Sequence, residues 1–157
     1  MIYRNIKPEE NEFLKDFLYD AIFIPEGMKA PSRDIIERPE LKIYYEDFGT
    51  GKADNCIVAE DEGRIIGAVW TRIMDDYGHI DEKTPSLAIS VKKDYRGQGI
   101  GKKLMSKMIE LMRSQGYEKL SLSVQKTNYA SKMYTDLGFR ILRENEEEEE
   151  NIMVYEL

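Results

Sequence analysis

A short apolar run, Leu87-Ala88-Ile89-Ser90-Val91, passes through Lys92-Lys93-Asp94-Tyr95-Arg96-Gly97-Gln98-Gly99-Ile100-Gly101-Lys102-Lys103 into Leu104. The run reads as a buried strand. Ile100, Leu104, Met105, Met108, Ile109 and Met112 then recur with helical period, and Gly116 closes the helix. A strand that leads through a tight loop into an amphipathic helix constrains the fold strongly. The strand needs a sheet, and the helix needs a face of that sheet to cover. The junction also carries chemistry. Glycine lets a backbone come close to a ligand, and the first turn of a helix presents N–H groups without intrahelical partners to an anion. Successive amides from Gln98 to Lys102 could hold a pyrophosphate, with Arg96 and the lysines adding positive potential.

The remaining elements follow from local patterns. Residues 2–6 suit an opening strand, stopped by Lys7-Pro8. Pro8 fits a first helical position, and Phe13, Leu14, Phe17, Leu18, Ala21 and Ile22 mark a helix running to about Phe23. Residues 24–31, with two prolines and a glycine, form a loop. Ser32 is placed to cap a short helix, and Leu41, Tyr44, Tyr45 and Phe48 mark another stripe ending at Gly49. Residues 56–59 and 64–74 are β-rich around a turn at Asp61-Glu62-Gly63. A polar connection over residues 75–86 leads to the strand at 87–91. Beyond the amphipathic helix come a strand at 120–124, a helix at 129–137, and a final strand pair at 139–144 and 152–157 around an acidic turn. The reading is one α/β domain over residues 1–157, with a mixed sheet and no repeats.

Bulk properties exclude several roles. The formal net charge is -7, which argues against nucleic acid as a partner, since phosphate binding needs a basic face. The run from Glu146 to Glu150 supplies part of that charge and reads as a solvated turn. No apolar run approaches the length of a membrane span, and the N-terminus has no signal-peptide core. With one Cys and one His, neither an intrachain disulfide nor a structural zinc site is expected, so the metal prediction is none and the expected compartment is the cytoplasm. Cys56 has no neighbouring His or basic residue in sequence to lower its pKa, so a nucleophilic role is not expected.

Two familiar phosphate motifs fail at the glycine loop. A Walker A loop requires Ser or Thr after Gly101-Lys102, where Lys103 stands, and a leading glycine where Arg96 stands. The dinucleotide fingerprint counted from Gly97 meets Lys102 in place of its third glycine. Arg96-Gly97-Gln98-Gly99-Ile100-Gly101 instead resembles the Q/R-x-x-G-x-G/A signature of the GNAT (GCN5-related N-acetyltransferase) family. It follows V-x-x-x-Y and precedes a long amphipathic helix. Downstream, the stretch from Asn128 through Ala130 and Tyr134 to Gly138-Phe139 resembles the family's second signature, N-x-x-A-x-x-x-Y-x-x-x-G-F.

The resemblance implies the acyl-CoA N-acyltransferase fold: a central mixed, mostly antiparallel sheet with a splayed parallel strand pair and flanking helices. It implies acetyl-CoA as cosubstrate and direct acetyl transfer to an amine. Leu87–Val91, with Ile89, Ser90 and Val91 foremost, would carry the pantetheine contacts, and Gln98, Gly99, Ile100, Gly101, Lys102 and Lys103 the pyrophosphate, with Arg96 and Gly97 also at the cofactor. Asn128 matches a residue that bonds the pantetheine arm, although helix capping is an equal reading for it. Tyr134 matches the tyrosine that protonates the departing thiolate. A lysine-like amine has a pKa of about 10.4, so only roughly one molecule in 2,500 is neutral at pH 7, and a base or water relay is expected. Many members place a glutamate near the strand before the glycine loop. Pro85-Ser86-Leu87-Ala88-Ile89-Ser90 has none, and His79, in the upstream connection, is the candidate base. The acceptor is expected to be a small-molecule or peptide amine, with no membrane partner. Dimers are common in the family, so a homodimer is an open expectation. A sensor that binds acyl-CoA without catalysis is the alternative.

Overall fold

The computed structural model describes residues 1–157. Seven strands form one sheet: β1 (Ile2–Asn5), β2 (Asn55–Asp61), β3 (Arg64–Arg72), β4 (Ser86–Val91), β5 (Lys119–Gln125), β6 (Arg140–Asn145) and β7 (Glu150–Glu156). Their order is β1-β2-β3-β4-β5-β7-β6. Every neighbouring pair is antiparallel except β4 and β5, which run parallel. The mixed sheet with one parallel pair agrees with the expected fold class.

Side-chain alternation sends the two faces of the sheet to different partners. Ile57, Val69, Leu87, Leu120, Leu122 and Met153 meet the apolar stripe of α3 (Ile100–Ser114), with Leu104, Met105, Met108 and Met112 wholly buried. On the opposite face Cys56, Val58, Ala68 and Trp70 pack against Leu14, Phe17 and Leu18 of α1 (Phe13–Ala21) and against Tyr44 and Tyr45. Trp70 is core, as its place in the strand predicts, and its indole N–H donates to the Tyr44 carbonyl (3.1 Å). Cys56 is buried and free, and desolvation pushes its thiol well above the usual range, consistent with an inert side chain.

The N-terminal third departs from expectation in detail. The helix read from Pro8 to about Phe23 is divided: Pro8–Glu10 is a 3-10 turn and α1 starts only at Phe13. The Glu10 side chain explains the division, because it takes the Lys7 N–H and both terminal nitrogens of Arg4 (each 2.8 Å) and so ties this turn to β1. Ser32 makes no side-chain cap, and the Tyr44 stripe belongs to a short helix, α2 (Pro39–Lys42), followed by turns up to Gly49.

Candidate active site

β4 and β5 diverge almost at once. Their ladder contains a single register pair, Ser86↔Ser121, supported by the Ser121 N–H donating to the Pro85 carbonyl (3.0 Å). Beyond that point β4 stays paired with β3 as far as Val91, and β5 with β7 as far as Gln125. The two facing edges therefore open into a wedge. Ile89, Ser90 and Val91, read as the pantetheine-contacting residues, lie on one wall. The Ser90 and Ser121 hydroxyls are buried without a partner. Such an edge can bind an amide-containing ligand as an added strand would be bound.

The loop after β4 forms an amide cradle. Lys93–Tyr95 is one 3-10 turn, and the chain then passes through Gly97 (φ 76°) and Gly99 (φ 80°), both in the left-handed region that favours glycine. Gly99 caps α3 without a side-chain hydrogen bond. The N–H groups from Gly97 to Lys102 donate to no protein acceptor; the first paired amide is that of Lys103, on the Gly99 carbonyl (3.1 Å). Six consecutive free donors at the start of a 15-residue helix suit a diphosphate. Lys102 and Lys103 are exposed beside them. Arg96 is held back by its Nε donating to the Val91 carbonyl (3.0 Å), and the Gln98 amide reaches the Asp94 carbonyl (3.5 Å).

Tyr134 is the one buried residue of α4 (Ala130–Leu137). Its ring packs against Phe139 (centroids 6.0 Å apart), and Phe139 against Tyr155 (5.3 Å). Burial, with a smaller contribution from Tyr129, pushes the phenol up to about 12. The hydroxyl therefore keeps its proton across the neutral range. Asn128 requires a correction. Ala130, Tyr134, Gly138 and Phe139 keep the signature spacing, but Asn128 precedes Ala130 by two residues instead of three. From there its Oδ1 accepts the Ala130 N–H (2.9 Å), a helix-entry contact.

Residues 75–85 lie over the face of the sheet opposite α3. Gly78 fits there because an added Cβ would come within 3.0 Å of the Leu122 and Ser123 backbone. Asp76 anchors the segment, accepting from the Tyr44 hydroxyl (2.8 Å) and the Ser86 hydroxyl (2.9 Å), and desolvation raises its pKa. His79 belongs to the same segment. Its Nε2 is 3.4 Å from a Glu82 carboxylate oxygen, its Nδ1 is buried without a partner, and its carbonyl accepts from Arg143 (2.9 Å). Glu26 is exposed in the loop after α1.

Two residues escaped the sequence reading. Asp76 has no signature around it. Glu150 is the last member of the acidic run read as a solvated turn, and it is buried, whereas Glu146, Glu147, Glu148 and Glu149 are exposed. The alternation Glu150, Ile152, Val154 was the available signal, since it places Glu150 in phase with two inward-facing residues of β7.

A family model described as Acetyltransferase (GNAT) family matches residues 18–139. Human N-acetyltransferase 8B is 31% identical over 109 residues, which are 68% of this chain and 48% of the human protein. N-alpha-acetyltransferase 30 of Schizosaccharomyces pombe is 28% identical over 135 residues, 85% of this chain and 82% of that protein. This chain thus spans about half the human relative and most of the yeast one. Among solved structures, an acetyltransferase from Salmonella typhimurium with its cofactor acetyl-CoA superposes with a TM-score of 0.72 at 18% identity, covering 100% of this chain and 94% of that one. The ribosomal-protein-alanine N-acetyltransferase of Brucella melitensis gives 0.71 at 19% identity, with both chains fully covered. At such identities the structural likeness shows the fold.

Proposed function

Since the chain belongs to the acetyltransferase (GNAT) family, which uses acetyl-CoA, we propose that it transfers acetyl directly from acetyl-CoA to the amine of a small molecule or peptide. The observation that supports this best is the wedge between β4 and β5, opening beyond one register pair beside six free amides. Ile89, Ser90 and Val91 line the pantetheine arm in this reading. The amides from Gly97 to Lys102 hold the diphosphate, with Arg96, Lys102 and Lys103 supplying positive charge. Asn128 serves first as a helix-entry cap.

Tyr134 donates to the departing sulfur. A phenol at about 12 loses its proton to a thiolate of ordinary pKa, about 8.5, only uphill. Its proton therefore passes to the sulfur only as the Tyr134 oxygen receives the proton shed by the new amide nitrogen, and before that point the phenol acts as a hydrogen bond to developing charge. His79 is the base in this reading, and replacing it with alanine is expected to shift the acidic limb of the kcat/KM profile. An unchanged pH–rate profile would remove His79 from the mechanism.

A single domain over residues 1–157, a cytoplasmic setting and a homodimer belong to the same proposal. The edge strand β6, with Ile141 and Leu142 exposed, is the surface a second copy would cover, and sedimentation tests it. No helix is long and apolar enough to cross a membrane.

CoA release from acetyl-CoA, measured at about pH 8 across amines, amino acids and peptides, tests the activity. Release with one class names the acceptor. Thermal stabilisation by acetyl-CoA without release from any amine would favour the sensor alternative.

A further inference from the structure

Glu150 begins β7, paired in register with Gln125 at the end of β5. Its side chain is on the face of the sheet that carries Ser121, Ile152 and Val154, opposite the face where Met153 meets Tyr134 and α3. It is only 9% exposed. One carboxylate oxygen accepts from the Gln125 amide (3.0 Å); the other is buried and has no partner.

No ion pair compensates the Glu150 charge, and Arg143, opposite Ile152 on the same face, donates instead to the His79 carbonyl. Burial raises the pKa of the Glu150 carboxyl, and Glu148 and Asp76 raise it further, so a cation brought to it would hold it ionised. Glu150 also acts on the phenols of Tyr44 and Tyr77. Neither Asp76 nor Glu150 takes part in any ion pair of the chain. Lys126, next in sequence to Gln125, is taken up by Glu144 (3.9 Å) and Glu146 (3.2 Å). A second unpartnered group lies on the same face: Ser121, wholly buried, sits in register with Ser86, whose hydroxyl bonds Asp76. Buried carboxylates without a cation are costly, and native interiors keep them paired. No three His, Cys, Asp or Glu side chains converge to hold a metal ion, so a cation drawn to this carboxyl would be of another kind.

We propose that Glu150 is the anionic seat for the acceptor, binding a primary ammonium group through its unpartnered oxygen, with Asp76 and Glu148 contributing negative potential. The assignment rests on the acetyltransferase reading only in calling that ammonium an acceptor. An ammonium suits the site because it brings the opposite charge and N–H donors to the free carboxylate oxygen. The Glu150 oxygen is enclosed in this structure. A rotation of the side chain, which one hydrogen bond restrains, brings it to the ligand. The site selects for charge: an uncharged isostere of the acceptor leaves the carboxylate unpaired and is rejected.

The test uses the full chain saturated with CoA, with 1,5-diaminopentane as probe and pentane-1,5-diol as its uncharged counterpart. Calorimetry at neutral pH and constant ionic strength reads binding. The wild type should bind the diamine and not the diol, and Glu150→Gln should weaken diamine binding by about ten- to hundredfold. Gln keeps the size of the side chain and an acceptor for Gln125. The variant should therefore fold and bind acetyl-CoA as the wild type does, which a melting curve with and without acetyl-CoA verifies. Equal diamine binding by variant and wild type, no binding by the wild type, or equal binding of the diol overturns the assignment. So does a loss of acetyl-CoA binding in Glu150→Gln, which would mark a structural role. Charge-selective binding without acetyl transfer would leave the assignment standing and count against the enzymatic reading instead.

Discussion

Tyr134→Phe should lower turnover at least about tenfold, a floor set below the roughly 10²–10⁴-fold of a positioned acid because a thiolate needs only modest help to leave, while acetyl-CoA affinity stays within about twofold. The substitution removes one hydroxyl and keeps the ring, so the packing against Phe139 survives. Deleting a hydroxyl that has no protein partner leaves no orphaned group behind, and folding stability should be close to that of the wild type. Stopped-flow release of CoA, beside calorimetry with acetyl-CoA, separates the two quantities. A near-normal rate with a saturating amine would mean that the sulfur leaves without this phenol. The alkaline side of the profile adds a second check. Because burial lifts the phenol to about 12, its ionisation should not cut the rate between about pH 7 and 10, and a limb there must come from another group.

The second large effect belongs to the loop before α3. Gly99→Val should weaken acetyl-CoA binding more than tenfold. Gly99 sits at φ 80° with open space around the missing Cβ, so the obstacle is backbone conformation and not crowding. A β-branched residue in that region costs about 1–2 kcal/mol or changes φ. Changing φ re-aims the free amides around Gly99, which the proposed diphosphate contacts depend on. Affinity for acetyl-CoA against that for a pantetheine fragment lacking the diphosphate localises the loss. If both fall equally, the cradle is not where the diphosphate sits.

Much of this architecture is legible from short-range chemistry. The strand at 87–91 and the α3 stripe follow from periodicity and glycine placement, which act within a few residues, while Tyr134 is picked out by resemblance to a family signature. Where the reading failed, a distant partner decided the outcome. Arg4 lies between Glu10 and Glu60 (2.8 and 2.9 Å from its Nη2), and so ties Glu10 to the sheet and ends a helix that periodicity alone would continue. Asp76 acquires meaning only when Tyr44 and Ser86 arrive from elsewhere in the chain. Glu150 resembled its four acidic neighbours in sequence, and only the phase of β7 separates it from them. Asn128 shows the limit of motif matching: one residue of spacing turns a side chain by about 100° at a helix entry, here toward the Ala130 amide.

The single register pair between β4 and β5 has a consequence for the life of the protein in a cell. The sheet is in effect two half-sheets, hinged at Ser86 and Ser121 and otherwise held together by α3 on one face and by residues 75–85 on the other. A thioester that fills the opening bridges those halves and has no counterpart site in the unfolded chain. At a hundredfold excess over its Kd such a ligand adds about 2.7 kcal/mol to folding. Persistence would then follow metabolic state: a cell rich in activated acetyl groups keeps its copies intact, and a starved one surrenders them sooner to its proteases.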